Sequence, residues 1–139
     1  MPILISHCTQ QTFELGKQLG LKLKPGNLVC LYGDLGAGKT VLTQGIAAGL
    51  GIDPQKIKSP TFVFARDYPL KKGRFYHLDL YRIEGKVSWQ GLGLEEILGN
   101  PENICVIEWA DRIQDDLPKK RIEVRIEGRG EGKRKIVIK

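Results

Sequence analysis

Residues 33 to 40 read GDLGAGKT: three glycines, a lysine and a threonine within eight positions. Glycine loses more backbone freedom on ordering than any other residue. Three so close together therefore imply a loop whose course excludes side chains. Gly33, Gly38, Lys39 and Thr40 satisfy the spacing G-x-x-x-x-G-K-[ST], that of the phosphate-cradling P-loop. In such a loop successive backbone N–H groups turn inward and form a concave anion site, which the N-terminus of the next helix extends. The lysine ammonium reaches the β- and γ-phosphates, and the threonine hydroxyl ligates Mg2+. The flanks agree. NLVCLY, before the loop, is an apolar run of buried-strand length. TVLTQGIAAGLG, after it, reads as a helix ending near Gly49 to Gly51. Strand, glycine loop and helix are the order that this chemistry requires.

The remaining segments extend an α/β pattern. ILIS predicts a short strand, followed by a helix over Thr9 to Gly20. DPQKIKSP, with two prolines, is a loop. TFVFARDY and FYHLDLYR are β-rich runs joined by PLKKGR, which predicts a hairpin. GLGLEEILGN allows a short helix before Pro101. NICVIEW is a second run apolar enough for a central strand. RIEVRIE and KIVIK alternate as strands about a glycine-rich turn. Mixing βαβ units with hairpins predicts an α/β sheet that is partly parallel and partly antiparallel, flanked by helices. With 139 residues, no internal repeat and no linker, a single domain over residues 1–139 is expected.

Composition sets the surroundings. Charged residues make up 27% and hydrophobic ones 41%, an ordinary globular balance. The longest apolar runs are four to six residues, too short for a membrane span, and the first residues carry no signal-peptide pattern. Cys8, Cys30 and Cys105 are odd in number and form no C-x-x-C pair, which points to a reducing cytoplasm. Cys30 and Cys105 lie inside apolar runs and read as buried, inert thiols. The net charge of +6 belongs to one end: residues 119 to 139 hold nine Lys/Arg and three Asp/Glu, while the first 118 hold thirteen of each. That end reads as a solvated hairpin of alternating charge, with an RNA-facing surface as the alternative.

A P-loop needs an acidic partner for Mg2+ at the end of a neighbouring apolar strand. Asp79, closing FYHLD, and Glu108, closing ICVIE, both fit. Which of them touches the metal directly, and which acts through water, stays open. Alternation puts Phe75, His77, Asp79 and Tyr81 on one strand face. His77 reads as a half-buried strand histidine, a place in the site being the alternative. Thr61, in SPTF, follows the P-loop helix, where switch-type NTPases place a threonine that senses γ-phosphate and metal; a plain serine-proline turn is the other reading. The guanine-reading N-K-x-D is absent, which favours ATP over GTP.

GDLGAGKT, SPTF, HLDLYR and IEWADR occur in the order and approximate spacing of the TsaE proteins. The chain resembles that family most firmly from Thr12 to Asp111. The resemblance implies a small P-loop NTPase-like ATPase that serves tRNA threonylcarbamoyladenosine synthesis. It implies ATP and Mg2+ as cofactors. Gly33, Asp34, Leu35, Gly36, Ala37, Gly38, Lys39, Thr40 and Val41 would embrace the nucleotide, with Thr61 and Trp109 near it. Thr40, Asp79 and Glu108 would form the metal environment, with Lys39 and Glu108 acting in catalysis and Glu108 polarising the attacking water. The implied partners are TsaB and TsaD, with tRNA reached only through their complex and neither membrane nor DNA involved. Hydrolysis, weak in the isolated chain, would reset that machinery without performing the transfer. Two other classes compete: a small-metabolite kinase, for which no lid-like insertion is visible, and a nucleotide-gated RNA-binding module, for which no aromatic platform is visible.

Overall fold

The computed structural model describes residues 3–33, 38–57, 65–80, 93–110, 117–128 and 133–139. Among them seven strands are found: β1 (Ile3–Ser6), β2 (Leu28–Tyr32), β3 (Ala65–Pro69), β4 (Arg74–Asp79), β5 (Ile104–Glu108), β6 (Ile122–Gly128) and β7 (Arg134–Ile138). Three α-helices accompany them, α1 (Thr9–Lys22), α2 (Lys39–Gly49) and α3 (Leu94–Gly99), with a 3-10 turn at Pro54–Lys56. The strands are hydrogen-bonded in the order β1-β7-β6-β2-β5-β4-β3. The pairs β1–β7, β6–β7 and β3–β4 are antiparallel, and β4–β5 is parallel. The mixed sheet expected from the sequence is present; residues 61–64 and 81–82 of the two expected hairpin runs lie outside the described residues. No helix among the described residues is long and apolar enough to cross a membrane.

The chain forms two compact units. The first lies within Met1–Leu23, Leu31–Ser59 and Glu123–Lys139. Here α1 and α2 pack backbone to backbone. On α1 the buried residues are Thr12, Gly16 and Gly20, spaced by four along one face. A Cβ on Gly16 would stand 2.4 Å from the Leu42 carbonyl oxygen, and one on Gly45 would stand 2.2 Å from that of Phe13. The helix runs two residues past the expected Gly20. Gly20 packs against α2, where a Cβ would meet the Ile46 oxygen at 2.2 Å; it is a contact residue and not a terminator. The Ser6 and Thr12 hydroxyls, both buried, bond each other at 2.7 Å and tie β1 to α1. In the basic hairpin Val124, Ile126 and Ile136 are buried while Arg125 and Glu127 are exposed, the alternation of a one-sided sheet. The Arg125 guanidinium lies 5.0 Å over the Tyr32 ring, a cation–π geometry.

The second unit lies within Lys24–Cys30 and Pro60–Ile122. Every residue of β5 is buried, which is why its sequence is a continuous apolar run and not an alternation. Gly73 turns the β3–β4 hairpin at φ +71°, and a Cβ there would come 2.1 Å from the Glu102 oxygen; only glycine fits. The buried Asn103 accepts at Oδ1 from the Arg74 N–H and donates from Nδ2 to the Ile97 carbonyl, so its amide is satisfied. Cys30 and Cys105 are buried as expected, and Cys8 is exposed. Burial, with Cys30 nearby as the lesser cause, pushes the Cys105 thiol up to about 12.

Candidate functional site

The glycine loop begins where β2 ends. Gly33 has φ +154°, and a Cβ on it would stand 2.4 Å from the Ile126 carbonyl oxygen on β6. The strand exit therefore requires glycine for contact as well as conformation. Gly38 caps α2 from the left-handed region at φ +99°, ψ 18°, and its carbonyl accepts from the Leu42 N–H at 3.0 Å. The first turn of α2 contains no acidic residue, so the positive end of the helix is not neutralised by its own side chains. Lys39 opens that helix. Its side chain is only 5% exposed, and Nζ donates to the Gly33 carbonyl at 2.5 Å. One side chain thus joins the two glycine ends of the loop. Thr40 and Val41 follow, both half-buried.

The two acidic candidates close adjacent strands. In the parallel ladder Asp79 stands opposite Glu108, and His77 opposite Val106. In-register neighbours on parallel strands share a face, so His77, Asp79 and Glu108 project to the same side. Asp79 is half-buried, whereas Glu108 is 3% exposed. The Leu80 N–H donates to the Glu108 carbonyl at 3.1 Å, extending the pairing beyond the last strand residues. Immediately after Glu108, Trp109 has φ +60°, a region that a bulky residue occupies at a conformational cost. Among the described residues it is the one non-glycine with positive φ.

His77 departs from the half-buried residue expected. It is fully buried, and its Nε2 is hydrogen-bonded to Glu108 Oε2. Strand alternation already put His77 and Asp79 on one face, but the link to Glu108 spans 31 positions and depends on β4–β5 register. Arg134, at the start of β7 in the charged hairpin, also comes near the loop. Its Nε lies 3.5 Å from where a Gly38 Cβ would stand. Of the residues expected at the site, Gly33, Gly38, Lys39, Thr40 and Val41 gather at the β2–α2 junction. Asp79, Glu108 and Trp109 gather at the ends of β4 and β5. Asp34, Leu35, Gly36, Ala37, Thr61 and Tyr81 lie outside the described residues. By donor type each candidate suits the expected metal: the Thr40 hydroxyl at the start of α2, and separately the paired Asp79 and Glu108 carboxylates of the β4–β5 ladder, are hard oxygen ligands. Mg2+ is ordinarily held by one or two such groups, with phosphate and water completing its shell.

The sequence model of the family described as "Threonylcarbamoyl adenosine biosynthesis protein TsaE" matches residues 6–136. The chain belongs to the TsaE family. The match runs to Ile136 and so takes in β6 and most of β7, well beyond the segment that carries the recognisable motifs. Among TsaE relatives, the chain is 38% identical over 129 residues to the tRNA threonylcarbamoyladenosine biosynthesis protein TsaE of Bacillus subtilis (strain 168), covering 93% of this chain and 79% of that one. It is 35% identical over 136 residues to the TsaE protein of Treponema pallidum (strain Nichols), covering 96% and 97%. Its structure is similar to the crystal structure of Bacillus subtilis YdiB, with a TM-score of 0.77 and 31% identity over 99% of this chain and 83% of that one. The P-loop NTPase-like mixed fold of the TsaE chain is consistent with that likeness.

Proposed function

We propose that this chain binds ATP with Mg2+ and hydrolyses it in the service of tRNA threonylcarbamoyladenosine synthesis. Its task would be to reset a TsaB–TsaD threonylcarbamoyl-transfer machine in the cytoplasm, meeting tRNA only through that complex. The observation that carries the ATP-binding reading is the closed β2–α2 junction, with left-handed Gly38 at the helix start and the Lys39 ammonium bonded to the Gly33 carbonyl. A buried ammonium held by a neutral carbonyl gains when an anionic phosphate oxygen takes that place, because charge-assisted hydrogen bonds are roughly twice as strong as neutral ones. The N–H groups that open a helix point out of its N-terminus and suit the same anion.

The chemistry then divides among side chains. Thr40 and the strand-end carboxylates would hold Mg2+, which would supply neutralisation of the phosphate charge. Glu108 would polarise the attacking water and take up its proton. Asp79, beside it in register, supplies the second carboxylate. Thr61 and Trp109 would complete the nucleotide surroundings. The test is phosphate release from Mg-ATP by the purified chain, with and without a TsaB–TsaD complex and with no small acceptor present. Slow release that the complex accelerates is expected. Full-speed release by the chain alone, unchanged by the complex, removes the reset role; phosphate appearing on a small acceptor instead makes the chain a kinase.

A further inference from the structure

Glu108 is a buried carboxylate with one oxygen already engaged. Its Oε2 is bonded to Nε2 of His77, a side chain with no solvent exposure. The other ring nitrogen, Nδ1, is buried and has no hydrogen-bond partner among the described residues. The two nitrogens are therefore used unequally. A carboxylate oxygen can only accept, so the ring hydrogen sits on Nε2 and is donated to Glu108. Nδ1 then carries a bare lone pair, which is the tolerable arrangement, since an orphaned N–H is the rarer and costlier defect in a protein interior.

We propose that His77 is a positioning residue for Glu108, pinning Oε2 so that Oε1 alone is presented to water or metal. This rests on the reading of Glu108 as the water-polarising carboxylate. The last torsion of a glutamate side chain is broad and roughly two-fold, so an unpinned carboxylate presents either oxygen over a wide range of angles. Rate depends on holding the reacting group in a narrow one. His77 is suited to the task by its address. It lies on β4, two residue pairs before the Asp79–Glu108 pair of the parallel ladder, within a strand whose Phe75 and Leu78 are fully buried. The imidazole is held by the sheet core, and the carboxylate is held by the imidazole.

The test compares three substitutions at His77 with Glu108→Gln in the full chain. His77→Gln keeps an amide N–H near the position of Nε2. His77→Asn puts its amide near Nδ1, out of reach, and His77→Leu keeps bulk without a donor. We expect Mg-ATP hydrolysis to fall about 10- to 100-fold in the Leu and Asn variants. Their Mg-ATP affinity should stay within about twofold of the parent, and His77→Gln should recover most of the rate; a merely structural role would not separate Gln from Asn in this way. Nitrogen NMR of the parent supplies a readout independent of activity and of variant folding: a protonated Nε2 and a bare Nδ1 are expected, and a protonated Nδ1 overturns the proposal. A Leu variant that hydrolyses like the parent also overturns it, leaving Glu108 untouched if Glu108→Gln is inactive. If Glu108→Gln hydrolyses normally, the reading of Glu108 itself falls, whatever the NMR shows of the pair.

Discussion

The ends of β2 and β5 make an instructive pair. Both strands are five residues long and buried throughout, and both pass their cargo to a residue with positive φ, Gly33 in one case and Trp109 in the other. At the β2 exit, recognition falls mainly to the backbone: the chain turns on glycines, and the one long side chain, Lys39, folds back to a carbonyl. At the β5 exit, recognition belongs to side chains, a carboxylate on Glu108 held by an imidazole from another strand. Backbone recognition demands particular residues at fixed local spacing, because only glycine adopts the required conformations. Side-chain recognition demands only that folding bring the partners together. The first kind is written within eight consecutive residues, and the second is scattered over thirty.

The largest effect is expected from breaking the β2 side. Lys39→Ala deletes the buried ammonium that bridges the loop ends, and loss of such a charged partner costs about 2–5 kcal/mol in binding. Calorimetry should show ATP affinity down by a hundredfold or so (roughly 2.7 kcal/mol). Near-normal binding would remove the P-loop assignment and with it one half of the comparison. Breaking the β5 side should look different. Glu108→Gln keeps the shape but cannot take up a proton, so Mg-ATP binding should persist while hydrolysis falls by about a hundredfold or more. If Asp79→Asn shows that behaviour and Glu108→Gln instead loses metal affinity, the two carboxylates exchange roles.

A smaller effect separates conformation from contact in the backbone half. Gly33→Ala would drive a Cβ to 2.4 Å from the Ile126 carbonyl, whereas Gly51, at φ +85°, has nothing within 4 Å. Urea unfolding should show Gly33→Ala destabilised by about 1–3 kcal/mol. Gly51→Ala should show only the left-handed penalty, about 1 kcal/mol. Equal losses would mean that contact adds nothing at the β2 exit. The effect that is absent at neutral pH and emerges only in alkali is expected from the thiol within β5. The Cys105 thiol rises from an ordinary 9.0 to about 12 in the folded chain, so above pH 9 the unfolded chain loses this proton first. Its contribution to stability is complete below pH 9 and is lost as pH rises towards 12, by at most about 1.4 kcal/mol per pH unit. Cys105→Ala should flatten that alkaline slope in denaturation curves taken from pH 8 to 11.

Legibility in the sequence followed the same division. The β2–α2 junction was readable because its chemistry is local, and so were β5 and the β3–β4 hairpin, each marked by an apolar run or a turn. Asp79 and Glu108 were readable as strand-end carboxylates, though no local signal put them side by side; that follows from a parallel register between strands separated by α3. His77 was underestimated for the same reason, since a lone histidine in a strand says nothing of what stands diagonally across the ladder. Gly20 is legible only as a glycine near the end of α1. Glycine ends helices and also lets them touch, and the chain alone does not say which use is made of it.

The contact between α1 and α2 has a mechanical consequence. Where two helices meet through side chains, sliding is absorbed by rotamer exchange, each jump softening the joint. At Gly16 and Gly45 there are no rotamers to exchange, and carbonyl oxygens meet α-carbons directly. A few tenths of an ångström of travel would press main chain into main chain, with nothing compliant in between. The two helices therefore respond to load as a single stiff plate. Lys39 and Thr40 stand on the first turn of that plate, so a push on α1 reaches them undamped.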